Sequence, residues 1–348
     1  MRKVIIGVQN TLHGPGAEAF LMQITPTSVN ELSNYTSTLS VLLDPETGGI
    51  VDDTVITRLG SDSFYFVTNA GCRDGDAKFL KAELKKFSER DDRGLNWETL
   101  DDYGLIALQG PKAAEVLQRF TDSDLGTLTF GQCRSISLTL PNGTQTPELL
   151  VSRTGYTGED GFEISIPVDN TPETADLPTK VTKALLQDTD TVRLAGLAAR
   201  DSLRLEAGMC LYGHDISLLT TPPEASLTWV VSKARRSESS PSFNGASRIL
   251  SQISSPKTMG RRRIGLDIEK GPPAREGAEI IDSETEKAVG VVTSGLPSPT
   301  LGGKNIAMAL VDNGYHKKGT KLKVKIRKNV KDAEVVKLPF VENKFYRG

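Results

Sequence analysis

Two stretches of the chain, HGPGAEAFLMQIT (13–25) and QGPKAAEVLQRFT (109–121), follow one template. Each carries Gly-Pro at its second and third positions, then a run with Ala17 and Ala113 at matched places, then a closing Thr. Proline suits the first turn of a helix, where its missing N–H would have no partner. In the second copy Ala113, Val116, Leu117 and Phe120 recur at helical spacing and form a stripe to be buried. The likeness continues: ITRLGSDSFYFVT (56–68) and VSRTGYTGEDGFEIS (151–165) both read strand, glycine turn, strand, with Phe64 and Phe162 in matching places. Two strand–helix units can look alike by chance, but a matched order over four elements points to duplication. Residues 1–190 are therefore expected to form two related α+β lobes, whose junction is a natural place for a pocket.

At 348 residues the chain is too long for one small core. Helices are expected near 76–90, 111–120, 172–187 and 196–207, and strands near 37–43, 50–58, 64–69, 104–109, 147–153 and 161–167. The opening MRKVIIGVQNTLHGPG reads as a strand: its apolar core is short and broken by Gly7, and no presequence is visible in it. Residues 233–262, rich in Ser, Pro and basic residues, read as a surface connection around a short helix. Beyond them RIGLDIE, VGVVTSG, NIAMALV and KLKVKIRK, separated by glycine and proline turns, predict a small all-β barrel or sandwich. The expected fold class is thus α+β, with two lobes from an internal duplication followed by a C-terminal β domain, divided as residues 1–255 and 256–348.

A formal net charge of −2 gives no reason to expect a nucleic-acid partner. Cys72, Cys133 and Cys210 are odd in number and far apart, which argues against a disulfide framework and fits a reducing compartment. With no CxxC, and with His13, His214 and His316 equally scattered, no metal site is expected. No apolar run approaches the roughly 20 residues of a membrane span. TLGGKN lacks the residues of a phosphate-binding loop, and GRRR (260–263) opens a strand without interleaved aromatics, so it reads as surface charge.

Three places invite chemistry. In GGIVDDTVI two aspartates stand mid-strand, where Asp is disfavoured. Alternation puts Val51, Asp53 and Val55 on one face and Ile50, Asp52, Thr54 and Ile56 on the other. Both faces are apolar, so at least one carboxylate sits beside a core and needs a partner or a ligand; an edge strand with one Asp in solvent is the equal alternative. In GLAARDSLRLEAG, Arg200 and Arg204 lie four apart on one helical face, where like charges repel unless solvated or met by an anion. Asp201 can pair with Arg204, leaving Arg200 freer. In SRTGYTGEDGFEIS a glycine-rich turn runs straight into a strand that carries Glu163.

The stretches SRTGYTGEDGFEI, GLAARDSLRLEAGMCLYGHDI, GGIVDD and VGVVTSGLPSPTLGGKNIAMALV together resemble the aminomethyltransferases (T-proteins) of the glycine cleavage system, over most of the chain. The resemblance implies a three-domain cloverleaf around a channel for tetrahydrofolate, the two lobes being the first leaves and the β-rich C-terminus the third. It implies a transfer without a metal. The aminomethyl group on the lipoyl arm of the H-protein is taken up, ammonia leaves, and tetrahydrofolate becomes 5,10-methylene-tetrahydrofolate. By the same resemblance Asp53 is the catalytic aspartate and Glu163 accepts the paired amino and ring N–H of the pterin. Tyr156 packs near the ligand, Arg200 meets the anionic side of folate, and Asn69 lines the pocket. Tyr346, beside Phe345, stands in for a ligand-side tyrosine. The implied location is the mitochondrial matrix. Two alternatives stay open: a shortened, catalytically impaired form, and a folate-binding accessory protein without transferase activity, whose KGCYxGQE-type motif is TGYTGED here.

Overall fold

The computed structural model describes residues 7–168, 176–237 and 242–348. Strand β1 (Gly7–His13) passes through a glycine turn into α1 (Ala17–Ile24). An antiparallel meander follows, β2 (Thr36–Leu43), β3 (Ile50–Gly60) and β4 (Ser63–Asn69), then α2 (Arg73–Ser88) and a short edge strand β5 (Asn96–Thr99). The same series recurs as β6 (Tyr103–Gln109), α3 (Ala113–Gln118), β7 (Cys133–Ile136), β8 (Leu149–Ser152), β9 (Gly161–Pro167) and α4 (Leu177–Leu185). The first sheet runs β2-β3-β4-β1-β5 and the second, read in the same sense, β7-β8-β9-β6. Leu12 lies opposite Phe64 and Leu108 opposite Phe162, so the registers repeat as well. Gly14 and Gly110, at φ 119° and 124°, make the same turn before the two first helices, in a region where only glycine is comfortable. The duplication is therefore topological, with β5 added to the first lobe. The strand expected from the start of the chain is described from Gly7 on; residues 1–6 lie outside the described residues, as does the beginning of the helix expected over 172–187.

Each lobe packs helices on one face of its sheet. Phe64 and Phe66 of β4 join Phe20, Leu21, Leu80 and Phe87 in one core, and Phe162, Ile164 and Ile166 of β9 join Val116, Leu117 and Val181 in the other. Strand alternation then turns Tyr65 and Val67, and Glu163 and Ser165, to the opposite faces. Those faces meet. Gln9 of β1 accepts a hydrogen bond from the Tyr65 hydroxyl at 2.8 Å and another from the Ser165 hydroxyl at 2.5 Å, tying one lobe to the other.

Helices α5 (Leu197–Glu206) and α6 (Ala246–Ser254) lead to six strands: β10 (Arg261–Ile268), β11 (Glu279–Asp282), β12 (Ala288–Ser298), β13 (Lys304–Asp312), β14 (Lys321–Ile326) and β15 (Asn329–Val336). They close as a barrel in the order β10-β13-β12-β11-β14-β15, around Leu266, Val292, Ala309, Val324 and Val335. Closure leaves no open sheet edge. The barrel grips α5 through buried polar groups. Arg204 bonds Asp215 at 2.7 Å and Ser294 at 3.0 Å, and Glu206 accepts from the hydroxyls of Ser298 and Thr300 at 2.5 and 2.6 Å.

Two sequence expectations fail here, for one reason. The 233–262 segment is not merely a surface connection: Phe243 and Ile249 enter a core with Val41 and Ile50, and Arg235 is buried, donating to the carbonyls of Met22, Thr25 and Thr27. GRRR is not wholly surface charge either, since Arg263 is buried against the carbonyls of Ala225 and Gly208. A guanidinium carries five donors and tolerates burial when backbone carbonyls converge on it. Those carbonyls come from elements remote in sequence.

Candidate functional site at the lobe junction

The turn TGYTGEDG is shaped by the end of β6. The Gln109 amide donates to the carbonyls of Thr154 and Phe162 at 2.9 and 3.3 Å, and its oxygen accepts from the Thr157 hydroxyl at 2.9 Å. A Cβ on Gly155 would lie 1.8 Å from that Gln109 oxygen. Gly158, at φ +72°, would place a Cβ 2.8 Å from the Cβ of Ala207. The glycines thus let the turn fold tightly over Gln109 and against the end of α5. Tyr156, held between them, donates to the Cys210 carbonyl, and its ring lies 4.7 Å from the guanidinium carbon of Arg200.

Glu163 sits in the middle of β9, opposite Ala107 of β6 on one side and Ser152 of β8 on the other. Its Oε2 accepts from the Thr154 hydroxyl at 2.6 Å, and among the described residues nothing bonds its Oε1. Burial raises the Glu163 pKa above the ordinary carboxylate range, while the Thr154 bond and the Arg200 charge pull it back. Arg200 has no ion pair among the described residues, because Asp201 pairs with Arg204 at 2.7 Å. Arg204 is not the solvated twin of Arg200 but a buried residue clamped to Asp215.

The two aspartates of β3 divide between the faces of the strand. Asp52 is fully buried on the helix-facing side with Thr54 and Ile56, whereas Asp53 is half-buried on the side that faces the second lobe. A bulge at Val51 breaks the expected alternation, so that Val51 packs toward the helices and Ile50 enters the core of Val41 and Ile249. Asn69, at the end of β4, joins them. Its side-chain amide donates to Asp53 at 2.8 Å and to Asp52 at 2.9 Å, and its backbone N–H donates to Asp52 at 2.8 Å. Burial, and then the neighbouring Asp52 charge, push the Asp53 pKa up to about 7, against the Asn69 bond and the Arg200 charge. The charge of Arg200 acts on both Asp53 and Glu163, with Asn69 bonded to Asp53 and the Tyr156 ring beside Arg200.

Tyr346 is placed elsewhere. Its hydroxyl donates to the Gly126 carbonyl at 3.0 Å, its ring lies 3.9 Å from the Arg153 guanidinium carbon, and the neighbouring Phe345 stacks on Phe130 at 4.0 Å. These contacts pin the C-terminal tail to the second lobe. A depression of about 820 Å³ on the barrel shares no residue with the junction, and its charges pair with one another, as in Lys304–Asp267 at 2.6 Å. Sequence reasoning missed Thr154, Gln9 and Tyr65. Tyr65 was findable, since it follows Phe64 as Glu163 follows Phe162 in the repeat.

The chain is similar to known proteins along almost its whole length. Residues 8–235 match the GCVT N-terminal domain, and residues 261–342 match the glycine cleavage T-protein C-terminal barrel domain. The mitochondrial aminomethyltransferase of Saccharomyces cerevisiae is 44% identical over 351 residues, covering 98% of this chain and 83% of that protein. That of Pisum sativum is 44% identical over 338 residues, covering 97% and 78%. The crystal structure of glycine cleavage system aminomethyltransferase T from Bartonella henselae matches with a TM-score of 0.83 at 36% identity, over 98% of this chain and 86% of that one. With both domains matched in order and the relatives aligned along almost its whole length, the chain belongs to the glycine cleavage T-protein family of aminomethyltransferases.

Proposed function

We propose that this chain transfers the aminomethyl-borne one-carbon unit of glycine cleavage to tetrahydrofolate, releasing ammonia, and that it does so at the lobe junction. The observation that carries the reading is the open Oε1 of Glu163, together with an Arg200 that has no ion pair among the described residues and whose charge acts on both Glu163 and Asp53. A carboxylate with one oxygen free and the other bearing a single hydroxyl bond can accept two side-by-side N–H groups, which is what a pterin edge offers. Arg200 supplies positive charge for the anionic side of the same ligand. Bound tetrahydrofolate would supply the nitrogen that takes up the one-carbon unit. Asp53, with a pKa near neutrality, can hold or release a proton there and stabilise developing positive charge. Asn69 fixes its carboxyl, and Tyr156 presents a ring face beside Arg200. Tyr346 enters this reading only through the tail it anchors.

The donor of the one-carbon unit in this reading is the lipoylated H-protein, and the place is the mitochondrial matrix; relatives named mitochondrial support an organellar location. The catalytic region would then be residues 1–255 and the barrel region 256–348. The test is formation of methylene-tetrahydrofolate from aminomethyl-loaded H-protein, followed against pH. Turnover is expected to rise through an apparent pKa near 7 as Asp53 ionises. A folded chain that forms no product at any pH would overturn the assignment.

A further inference from the structure

Behind Asp53, on the helix-facing side of β3, lies an acid for which the transfer has no direct use. Asp76, in the first turn of α2, is 3% exposed, and among the described residues neither of its carboxyl oxygens has a hydrogen-bond partner. The groups acting on it are Asp52, Thr68 and, next, Asp53. Asp52 is 0% exposed, and the Thr68 hydroxyl is likewise buried without a partner. The other titratable groups facing this cluster are Cys72, on the turn before α2, and Tyr212, both pushed up to about 12 and so neutral at physiological pH. On the far side of the strand Tyr156, Cys210 and Arg200 face Asp53. No cation stands among the largest influences on Asp52 or Asp76, and among the described residues the carboxyls do not form a group that could hold a metal ion.

Two buried carboxyls that act on each other, with no cation among their largest influences, do not both ionise; the pair keeps one proton. The hydrogen bonds decide where it sits. Asp52 accepts two N–H bonds from Asn69, which favour its charged form, and Asp76 accepts none. A protonated Asp76 becomes a donor toward Asp52, and its other oxygen is left to accept from Thr68. We propose that Asp76 is protonated at neutral pH, that Asp52 and Asp76 form one monoanionic pair, and that this pair, through Asn69, sets the proton affinity of Asp53. Asp76 is then a positioning residue that never meets the substrate. The inference rests on the reading of Asp53 as the acid that works in the transfer, but the pair itself can be observed without it.

Removing the Asp76 carboxyl leaves Asp52 without its donor, so Asp52 takes up the proton itself. The negative charge beside Asp53 disappears and Asp53 becomes more acidic. Asp76→Asn keeps a donor in place and preserves the charge on Asp52. The first test is infrared spectroscopy of the ligand-free full chain at neutral pH, comparing Asp53→Asn with Asp53→Asn/Asp76→Asn. The band of a protonated carboxyl is expected to vanish in the double variant; identical spectra would overturn the proposal. The second test is the pH profile of turnover. Asp76→Ala is expected to move the limb near pH 7 down by about one unit or more, while Asp76→Asn leaves it in place. Equal shifts in both variants, or none in a folded Asp76→Ala, would reject the coupling. If the chain shows no turnover at all, the infrared comparison still decides whether the proton is there.

Discussion

The middle strands of the two lobes carry different residues at one equivalent position: Tyr65 in β4, next to Phe64, and Glu163 in β9, next to Phe162. Both face the other lobe. The Tyr65 hydroxyl is spent on Gln9, which also receives Ser165, so that position is closed and holds the lobes together. Glu163 receives one hydroxyl bond and keeps an open oxygen. On the neighbouring strands the asymmetry reverses. Ile56 pairs with Phe66 in the first lobe as Val151 pairs with Ile164 in the second. Three residues earlier stand Asp53 of β3, half-buried and joined to Asn69, and Glu148, exposed just before β8. Duplication supplied two equal scaffolds, and each lobe kept one acid at the junction. The teaching point is polar satisfaction: a buried polar group with all its bonds made is architecture, and one left open is available to a ligand.

The sharpest way to separate the two acids is Asp53→Asn. Turnover should fall by about 10²–10⁴-fold, the usual contribution of a positioned acid or base, while tetrahydrofolate still binds; unchanged turnover would remove the first lobe from the chemistry. The same variant has a stability signature. The folded pKa of Asp53, about 7, lies above its ordinary 3.8. The folded state therefore holds the proton more tightly, and that contribution is complete below about pH 4 and lost as pH rises to about 7. Denaturant unfolding across this window should show a decline in the parent chain that is shallower in Asp53→Asn. A smaller effect is expected at Gln9→Ala, which strands the buried hydroxyls of Tyr65 and Ser165. The loss should be about 2 kcal/mol, read from urea midpoints, and would show that the lobes share one polar joint. The smallest belongs to Tyr65→Phe, which removes one neutral bond for about 1 kcal/mol. A much larger loss there would mean that Tyr65 does more than close the junction.

Much of this architecture is written locally. The Gly-Pro turns at 14–15 and 110–111 and the phenylalanines of the two hairpins exposed the duplication, and the glycine-punctuated strands after residue 260 announced the barrel. The short strands β5 and β7 were missed because NWET and CRSI carry too few apolar positions to show a period. Glu163, Arg200 and Asp53 stood out because charge or acid sat where a strand or helix face disfavours it. Which aspartate faces the junction was undecidable from alternation alone, since both sides of β3 are apolar; the sides differ only once α2 covers one and the second lobe the other. Gln9, Arg235 and Arg263 were invisible for a related reason. Their partners lie far along the chain, as Thr25 does for Arg235, 210 residues away.

The most direct measurement is calorimetric titration of tetrahydrofolate into the parent chain, Glu163→Gln and Tyr65→Phe under one buffer. The account predicts binding by the parent, a loss of about 10- to 100-fold in Glu163→Gln, the worth of a charge-assisted hydrogen bond, and parent-like binding in Tyr65→Phe. Equal affinity in the parent and a folded Glu163→Gln, or an equal loss at both positions, would contradict the claim that Glu163, and not its counterpart Tyr65, is left open for the ligand.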